Sequence, residues 1–325
     1  MVIFQWLYIA LMIPLQNASS GYLRDSCGSL LPLPEMRLIR GGEFMMGTEA
    51  KPSDVDYHED ERPRLVKVDT FYLGRFPVTT EQFCLFLNDH VGTRCSDYGA
   101  FRNIEFVEGR YRPKKDHDRC PVNGVNWIGA ADFCTWMSNS TGLPFRLPTE
   151  AEWEFAVRGV ELRSWPWGNE APPTGLERKS DAYRSMIFFN LRGYRYYHPG
   201  ELPPEESSCC GFAPVGSFPR GQTPDGVYGL MDRSMGEWCS DPYYVNLDDD
   251  HFVEGDGDFG PTYVIRGFPE RFKNLENWRK EQGGMWRPPW GASNKHSSRS
   301  WTRVGGNEQR TTATFRLAMD FEPPK

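Results

Sequence analysis

Residues 143–156 constrain the fold of this chain more than any other stretch. Pro148 disfavours a helix immediately before it, the Thr149 hydroxyl can cap the next helix, and Glu152 can complete a capping box. A helix is therefore predicted to begin at Glu150.

The spacing of apolar residues in this block predicts which face of the helix is buried. Trp153, Ala156 and Val157 recur at helical intervals on one side, so we expect them in the core. The remaining residues are predicted to face solvent, namely Glu150, Glu154 and Arg158. On this interpretation the block has a structural role.

Two further helices are predicted from caps and periodicity. Thr79 with Gln82 forms a second capping box, and the Phe83, Phe86 and Leu87 side chains that follow share a face. Another helix is predicted after Asn126. Its apolar residues recur at helical spacing, which places a cysteine in the core: Ala130, Phe133, Cys134 and Met137.

Short strands are predicted from alternation and from turn residues. Residues 36–47 have the pattern of a hairpin that turns at Gly41 and Gly42. Three further strands are predicted, at residues 65–72, 262–267 and 313–319. With 32 glycines and 26 prolines among 325 residues, the composition is that of a turn-rich globular protein.

The chain is predicted to contain one domain, because it shows no internal repeat and no clear linker. This domain spans residues 36–320, with an approach segment at 21–35 and a tail at 321–325. Residues 1–20 carry no charged side chain and end on small residues, which is typical of a signal peptide. We therefore expect a secreted, periplasmic or secretory-pathway lumenal protein with no membrane segment beyond the leader.

The net charge limits the kinds of partner that this chain can bind, and the cysteine content predicts disulfides. The formal net charge is −7 without a long basic run, which argues against nucleic-acid binding. The chain has eight cysteines and is expected to be exported, so disulfides are expected, although their pairing cannot be deduced. No spacing of cysteine and histidine suggests zinc.

Nine short motifs occur in one order along residues 36–320. They lie at residues 42–47, 76–79, 121–127, 146–154, 166–169, 213–216, 228–230, 237–238 and 315–317. In this order they resemble the formylglycine-generating enzymes, also called the sulfatase-modifying factor family. The resemblance implies an α+β domain with a C-type-lectin-like core and little regular secondary structure.

The resemblance also implies a reaction that this chain cannot readily perform. Members of the family oxidise a substrate cysteine with oxygen and copper, using two cysteines near the C-terminus. This chain has no cysteine after Cys239, and the matching positions are Lys295 with Trp290 or Phe272. Copper is therefore not expected, because thiolates are the ligands that hold it.

The family has an active-site groove, and the stretch of this chain that corresponds to it is remodelled and rich in tryptophan and arginine. Such side chains are typical anchors of recognition surfaces. The candidate ligand-binding residues are Trp286, Arg287, Trp290, Asn294, His296, Arg299, Trp301 and Arg303.

Calcium is a possible cofactor on the same resemblance. One site would use Asn190 and the carbonyl of Leu191, with Glu206 nearby. A second would use Asp232 and Glu237, although that loop is about two residues shorter than in the family. The alternative is that Asp232 and Glu237 are ordinary turn and surface carboxylates.

Three functions are compatible with this sequence. The first is a binding or regulatory module without formylglycine-generating activity, whose partner is an unknown protein or small molecule. The second is an oxidoreductase of different chemistry on the same scaffold, as in periplasmic siderophore maturation. The third is a ligand-binding protein similar to the variable proteins of diversity-generating retroelements. Bound redox metal in the purified protein would favour the second.

Overall fold

The fold is that of a mixed α+β protein whose described residues form short strands, three α-helices and one 3-10 helix at Pro219–Gly221. The computed structural model describes residues 22–24, 28, 30–47, 63–90, 98–99, 101, 103–169, 214–217, 219–230, 236–243, 262–267, 303–307 and 313–322. Of these, no helix is long and apolar enough to cross a bilayer.

The helices are α1 (Thr80–Asp89), α2 (Trp127–Thr141) and α3 (Glu150–Arg158). The strands, in chain order, are β1 (Tyr22–Arg24), β2 (Leu30–Pro32), β3 (Met36–Ile39), β4 (Gly42–Met46), β5 (Arg64–Val68), β6 (Phe71–Gly74), β7 (Ile104–Val107), β8 (Arg110–Pro113), β9 (Glu237–Pro242), β10 (Thr262–Arg266), β11 (Arg303–Asn307) and β12 (Ala318–Asp320).

All three predicted helix starts are confirmed. Thr79 and Thr149 each accept from the backbone of the third helical residue, and the Gln82 and Glu152 side chains bond back to the caps. Asn126 caps α2 by accepting from the Gly129 N–H at 2.8 Å. These polar side chains satisfy N–H groups that the first helical turn leaves without a partner.

The predicted hairpin turn at Gly41 and Gly42 is wrong. Strands β3 and β4 do not pair with each other, because β3 pairs with β6 and β4 pairs with β5 in one continuous register. The chain instead continues through Gly41, where an added Cβ would overlap the Val68 carbonyl oxygen. Glycine is needed there for close backbone approach rather than for a turn.

The same interruption divides the strand that was predicted at residues 65–72. That segment forms β5 and β6, which lie in different sheets. Between them the Thr70 hydroxyl accepts a hydrogen bond from the Gly41 N–H at 3.1 Å. The two strands with their partners thus form one ribbon in continuous register that is interrupted at Gly41.

The predicted last strand is regular only in β12, but the whole segment is extended and central. Its carbonyls accept hydrogen bonds from the backbone N–H groups of five separate parts of the chain. The donor and acceptor pairs are Val125 with Ala313, Trp238 with Thr314, Val78 with Phe315, Gly74 with Leu317, and Arg146 with Ala318. Residues 313–318 therefore join elements that are distant in sequence.

Within the described ranges, the buried apolar side chains form two clusters. In the first, α1 and α2 pack on the C-terminal segment, where the Phe133 and Phe315 rings meet edge to face at 5.4 Å. Cys134 lies there as predicted. The second lies under α3 and β4, where the Phe44 and Phe155 rings are 5.2 Å apart.

Candidate functional site

A buried ion pair between Glu237 of β9 and Arg316 lies between the two core clusters. Arg316 Nε donates to Glu237 Oε2 at 2.5 Å, and Nη2 donates to Oε1 at 2.6 Å. The Trp153 indole N–H donates to the same carboxylate at 3.0 Å. Because both charged side chains are at most 2 % exposed, the pair is withdrawn from water.

The rest of the Arg316 guanidinium binds backbone carbonyls. Nη1 donates to Gly74 O and Nη2 to Tyr228 O, each at 3.0 Å. One side chain thereby links β6, the 226–230 segment and β9. Such complete hydrogen bonding is what makes a buried charge tolerable.

A second buried pair joins α3 to β10. Arg266 Nη2 donates to Glu154 Oε2 at 2.6 Å, and both side chains are at most 1 % exposed. The other Glu154 oxygen accepts from the Gly47 N–H at 2.8 Å and from Arg158 at 2.7 Å. The helix is therefore tied to the end of β4 and to the end of β10.

The first turn of α3 carries a third polar contact. Glu150 accepts from Arg64 at 2.7 Å, and its backbone N–H donates to Asp241 Oδ2 at 2.6 Å. Burial and the neighbouring Glu150 charge raise the pKa of Asp241, against the opposing influence of that N–H and of Arg266.

The prediction that Glu150, Glu154 and Arg158 face solvent is therefore wrong, since all three are buried. Their partners come from β4, β5 and β10, which helical periodicity does not reveal. Arg266, Arg316 and Asp241 were missed as organising residues. For Arg316, the only signal was its place in the 315–317 motif.

The structure places the two ends of the predicted groove segment side by side. In the antiparallel pair β10 and β11, Arg266 lies opposite Arg303, and Arg266 also lies opposite Glu237 of β9. Of the predicted groove residues, only the backbone of Arg303 is described. The others lie outside the described residues: Trp286, Arg287, Trp290, Asn294, His296, Arg299 and Trp301.

Most of the predicted calcium ligands also lie outside the described residues, namely Asn190, Leu191, Glu206 and Asp232. Glu237 is described, and both its oxygens accept from Arg316. A guanidinium thus occupies the position that a cation would take, so the structure gives Glu237 an ion-pairing role. Across the described ranges, no group of three or more acidic, cysteine or histidine residues could hold a metal.

Cys239 is fully buried, as the sequence predicted. Burial raises the pKa of its thiol well above the ordinary value, and the nearby Asp241 charge adds to this effect. Burial likewise raises the pKa of the Cys134 thiol. The raised pKa of Cys134 and of Cys239 disfavours the thiolate form that copper binding requires. Cys120 is disulfide-bonded.

Short strands, an interrupted ribbon and three helices make an α+β fold, and comparison with solved structures shows that it is of the formylglycine-generating-enzyme type. The structure of PvdO from Pseudomonas aeruginosa has a TM-score of 0.55 and 22 % identity, over 93 % of this chain and 98 % of that one. The structure of Treponema denticola variable protein 1 has a TM-score of 0.51 and 18 % identity, over 88 % of this chain and 94 % of that one.

Residues 27–321 match the sulfatase-modifying factor enzyme 1-like domain, and the chain belongs to that family. It is 28 % identical over 256 residues to the formylglycine-generating enzyme of Bos taurus, covering 66 % of this chain and 60 % of that protein. It is 29 % identical over 247 residues to the inactive C-alpha-formylglycine-generating enzyme 2 of Mus musculus, covering 65 % of this chain and 70 % of that protein.

The chain spans only part of several relatives. It matches the serine/threonine-protein kinase Pkn1 of Chlamydia trachomatis at 27 % identity over 300 residues, covering 89 % of this chain but 39 % of the kinase. The match to the bovine enzyme also covers less than two thirds of that protein. Family and fold are thus shared, whereas the activities of the whole relatives do not follow.

We predict that Glu237→Ala lowers the free energy of unfolding by about 3–5 kcal/mol, because it leaves the Arg316 charge buried without its carboxylate. Urea unfolding measures the loss. The control is Asp320→Ala, which removes a 72 % exposed partner of Arg146 and should cost at most about 1 kcal/mol. Equal losses in the two variants would contradict the assigned importance of the buried pair.

We predict that Asp241→Asn is more stable than the wild type at pH 7. A raised folded-state pKa means that folding favours the protonated carboxyl, so the ionised form costs stability above that pKa. The difference should shrink as pH falls through the raised value towards the unfolded value of about 3.9. Thermal unfolding across this range tests it, with Asp320→Asn as control. An advantage that grows on acidification would disprove the sign.

Proposed function

We propose that this protein is an exported member of its family that lacks cysteine-to-formylglycine oxidase activity and acts as a binding or regulatory module. The observation that supports this most is the state of its cysteines. None follows Cys239 in the chain, and the Cys239 thiol is buried with a raised pKa.

The chemical argument concerns how copper would be held. Copper capture in the family uses two neighbouring thiolates, a soft donor set that other side chains do not replace. The matching positions in this chain carry Lys295 with Trp290 or Phe272, which are an ammonium group and aromatic rings. Cys239 offers one sulfur at most, and it would have to leave the core to act.

The similarity to the mouse protein named as an inactive C-alpha-formylglycine-generating enzyme 2 supports the same proposal. It indicates that the family scaffold occurs without the oxidase activity. A scaffold can keep its fold while its site is replaced, because fold and site depend on different residues.

The binding role is supported by the segment between Arg266 and Arg303. It contains Trp278, Trp286, Trp290 and Trp301 together with several arginines. Tryptophan and arginine are the residues that most often dominate binding energy at interfaces. The strand pair β10 and β11 brings the two ends of this segment together.

We predict that the protein produces no aldehyde on a peptide carrying a sulfatase-type cysteine motif, with or without added copper. Mass spectrometry of the peptide detects the change, and the formylglycine-generating enzyme of Thermomonospora curvata serves as the positive control. An aldehyde that disappears in Cys239→Ala would overturn the proposal. Stoichiometric redox metal in the purified protein would instead favour an oxidoreductase of different chemistry.

We further propose that calcium binds through Asn190 and neighbouring carboxylates, with a smaller contribution at Asp232. A cation that binds only the folded state stabilises it by mass action. Adding calcium should therefore raise the melting temperature and a chelator should lower it, whereas Asn190→Ala should respond less than wild type. An unchanged midpoint with the chelator would contradict both assignments.

A further inference from the structure

The exposed carboxylate of Glu35 sits between two arginines on the surface. Arg75 Nη1 donates to Glu35 Oε2 at 2.5 Å, and Arg37 Nη2 lies 3.7 Å from the same oxygen. Glu35 is 56 % exposed, whereas the two arginine side chains are 26 % and 37 % exposed. Two partly covered cations therefore converge on one oxygen that remains open to solvent.

Two aromatic rings contact the Arg75 guanidinium, and hydrogen bonds fix the Arg75 backbone. Its carbon lies 5.0 Å from the Phe76 ring centre and 5.1 Å from that of Tyr228. The Arg75 N–H donates to Glu35 O and its carbonyl accepts from Tyr228 N–H, both at 2.8 Å. These backbone bonds do not depend on the arginine side chain. A cation that is already ordered loses little entropy when it binds an anion.

Donor capacity remains on both arginines. Each guanidinium has five N–H donors; Arg75 donates one to Glu35 and another to the Tyr228 side chain. The Nε atoms of Arg37 and Arg75 are buried and, within the described ranges, have no hydrogen-bond partner. The nitrogens that approach Glu35 are Arg75 Nη1 and Arg37 Nη2, on side chains that are 26 % and 37 % exposed.

The contact with Glu35 is also one that a ligand could replace. Ion pairs between solvent-exposed side chains contribute little to stability, because water and salt screen them. The planar guanidinium fork matches a carboxylate in geometry, and stacking on aromatic rings favours arginine over lysine at such a site.

We propose that Arg37 and Arg75 form a carboxylate-recognition site for an acidic segment of a partner protein, and that Glu35 occupies this site when no partner is bound. The seated Glu35 carboxylate shows the chemistry of the ligand. A partner carboxylate displaces it and binds the same nitrogens above the Phe76 and Tyr228 rings. This site goes beyond the proposed function, because it involves neither Cys239 nor the segment between Arg266 and Arg303.

The test measures binding of an end-blocked tetraglutamate peptide by calorimetry, with the tetraglutamine peptide as the uncharged probe. Glu35→Gln should bind tetraglutamate about tenfold more tightly than wild type, because the internal competitor is gone. Adding Arg75→Gln to that variant should abolish the gain. The control is Glu108→Gln, which removes a carboxylate partner from Arg112 that is 79 % exposed, and it should leave affinity unchanged.

Each other outcome contradicts the proposal. Equal affinity of Glu35→Gln and wild type would show that the pair only fastens β3 to the end of β6. A Glu35→Gln variant that does not fold would lead to the same conclusion. A gain of the same size in Glu108→Gln would reflect net charge alone, and tighter binding of inorganic sulfate than of tetraglutamate would exclude a carboxylate site.

Discussion

The ion pair of Glu237 and Arg316 is the interaction on which the rest of the structure depends. Its two side chains contact β6, β9, α3 and the 226–230 segment, all through hydrogen bonds between 2.5 and 3.0 Å. The strands in this fold are short and divided among several small sheets, so ladders alone do not define their relative positions. A buried charge must be satisfied. The elements can therefore pack together only in an arrangement that gives Arg316 all of its acceptors.

Local chemistry predicted the parts of the fold that local residues determine. Thr79, Asn126 and Thr149 begin their helices because each supplies an acceptor for nearby N–H groups, and this relation lies within three residues. Gly41 was misassigned for the opposite reason, because its close neighbour is the Val68 carbonyl. A glycine that permits a turn and one that permits close contact between strands have the same sequence signature.

The candidate site divides in the same way. The lack of a cysteine after Cys239 is evident from the sequence, and the burial of Cys239 follows from its place beside Trp238 in a core strand. The role of Glu237 could not be inferred, because its partner Arg316 lies 79 residues away. Glu154 was similarly assigned to solvent, because the helical pattern gives no sign of Arg266, 112 residues distant. Carboxylates at such positions have two possible partners, a metal ion or an arginine, and only tertiary structure distinguishes them.

The arrangement of the buried pairs explains how a family scaffold can persist when its reaction chemistry changes. Arg266, at the end of β10, is bound by Glu154 of α3. Strand β11 pairs with β10 along its whole length, so that Thr262 lies opposite Asn307 and Arg266 lies opposite Arg303. The ion pairs described above, Glu237 with Arg316 and Glu154 with Arg266, are made by residues outside the segment between Arg266 and Arg303. Substitutions within that segment, including loss of the family's cysteines, change none of these four side chains. Selection can therefore alter the site independently of the fold, which is the physical basis of the binding role proposed for this member of the family.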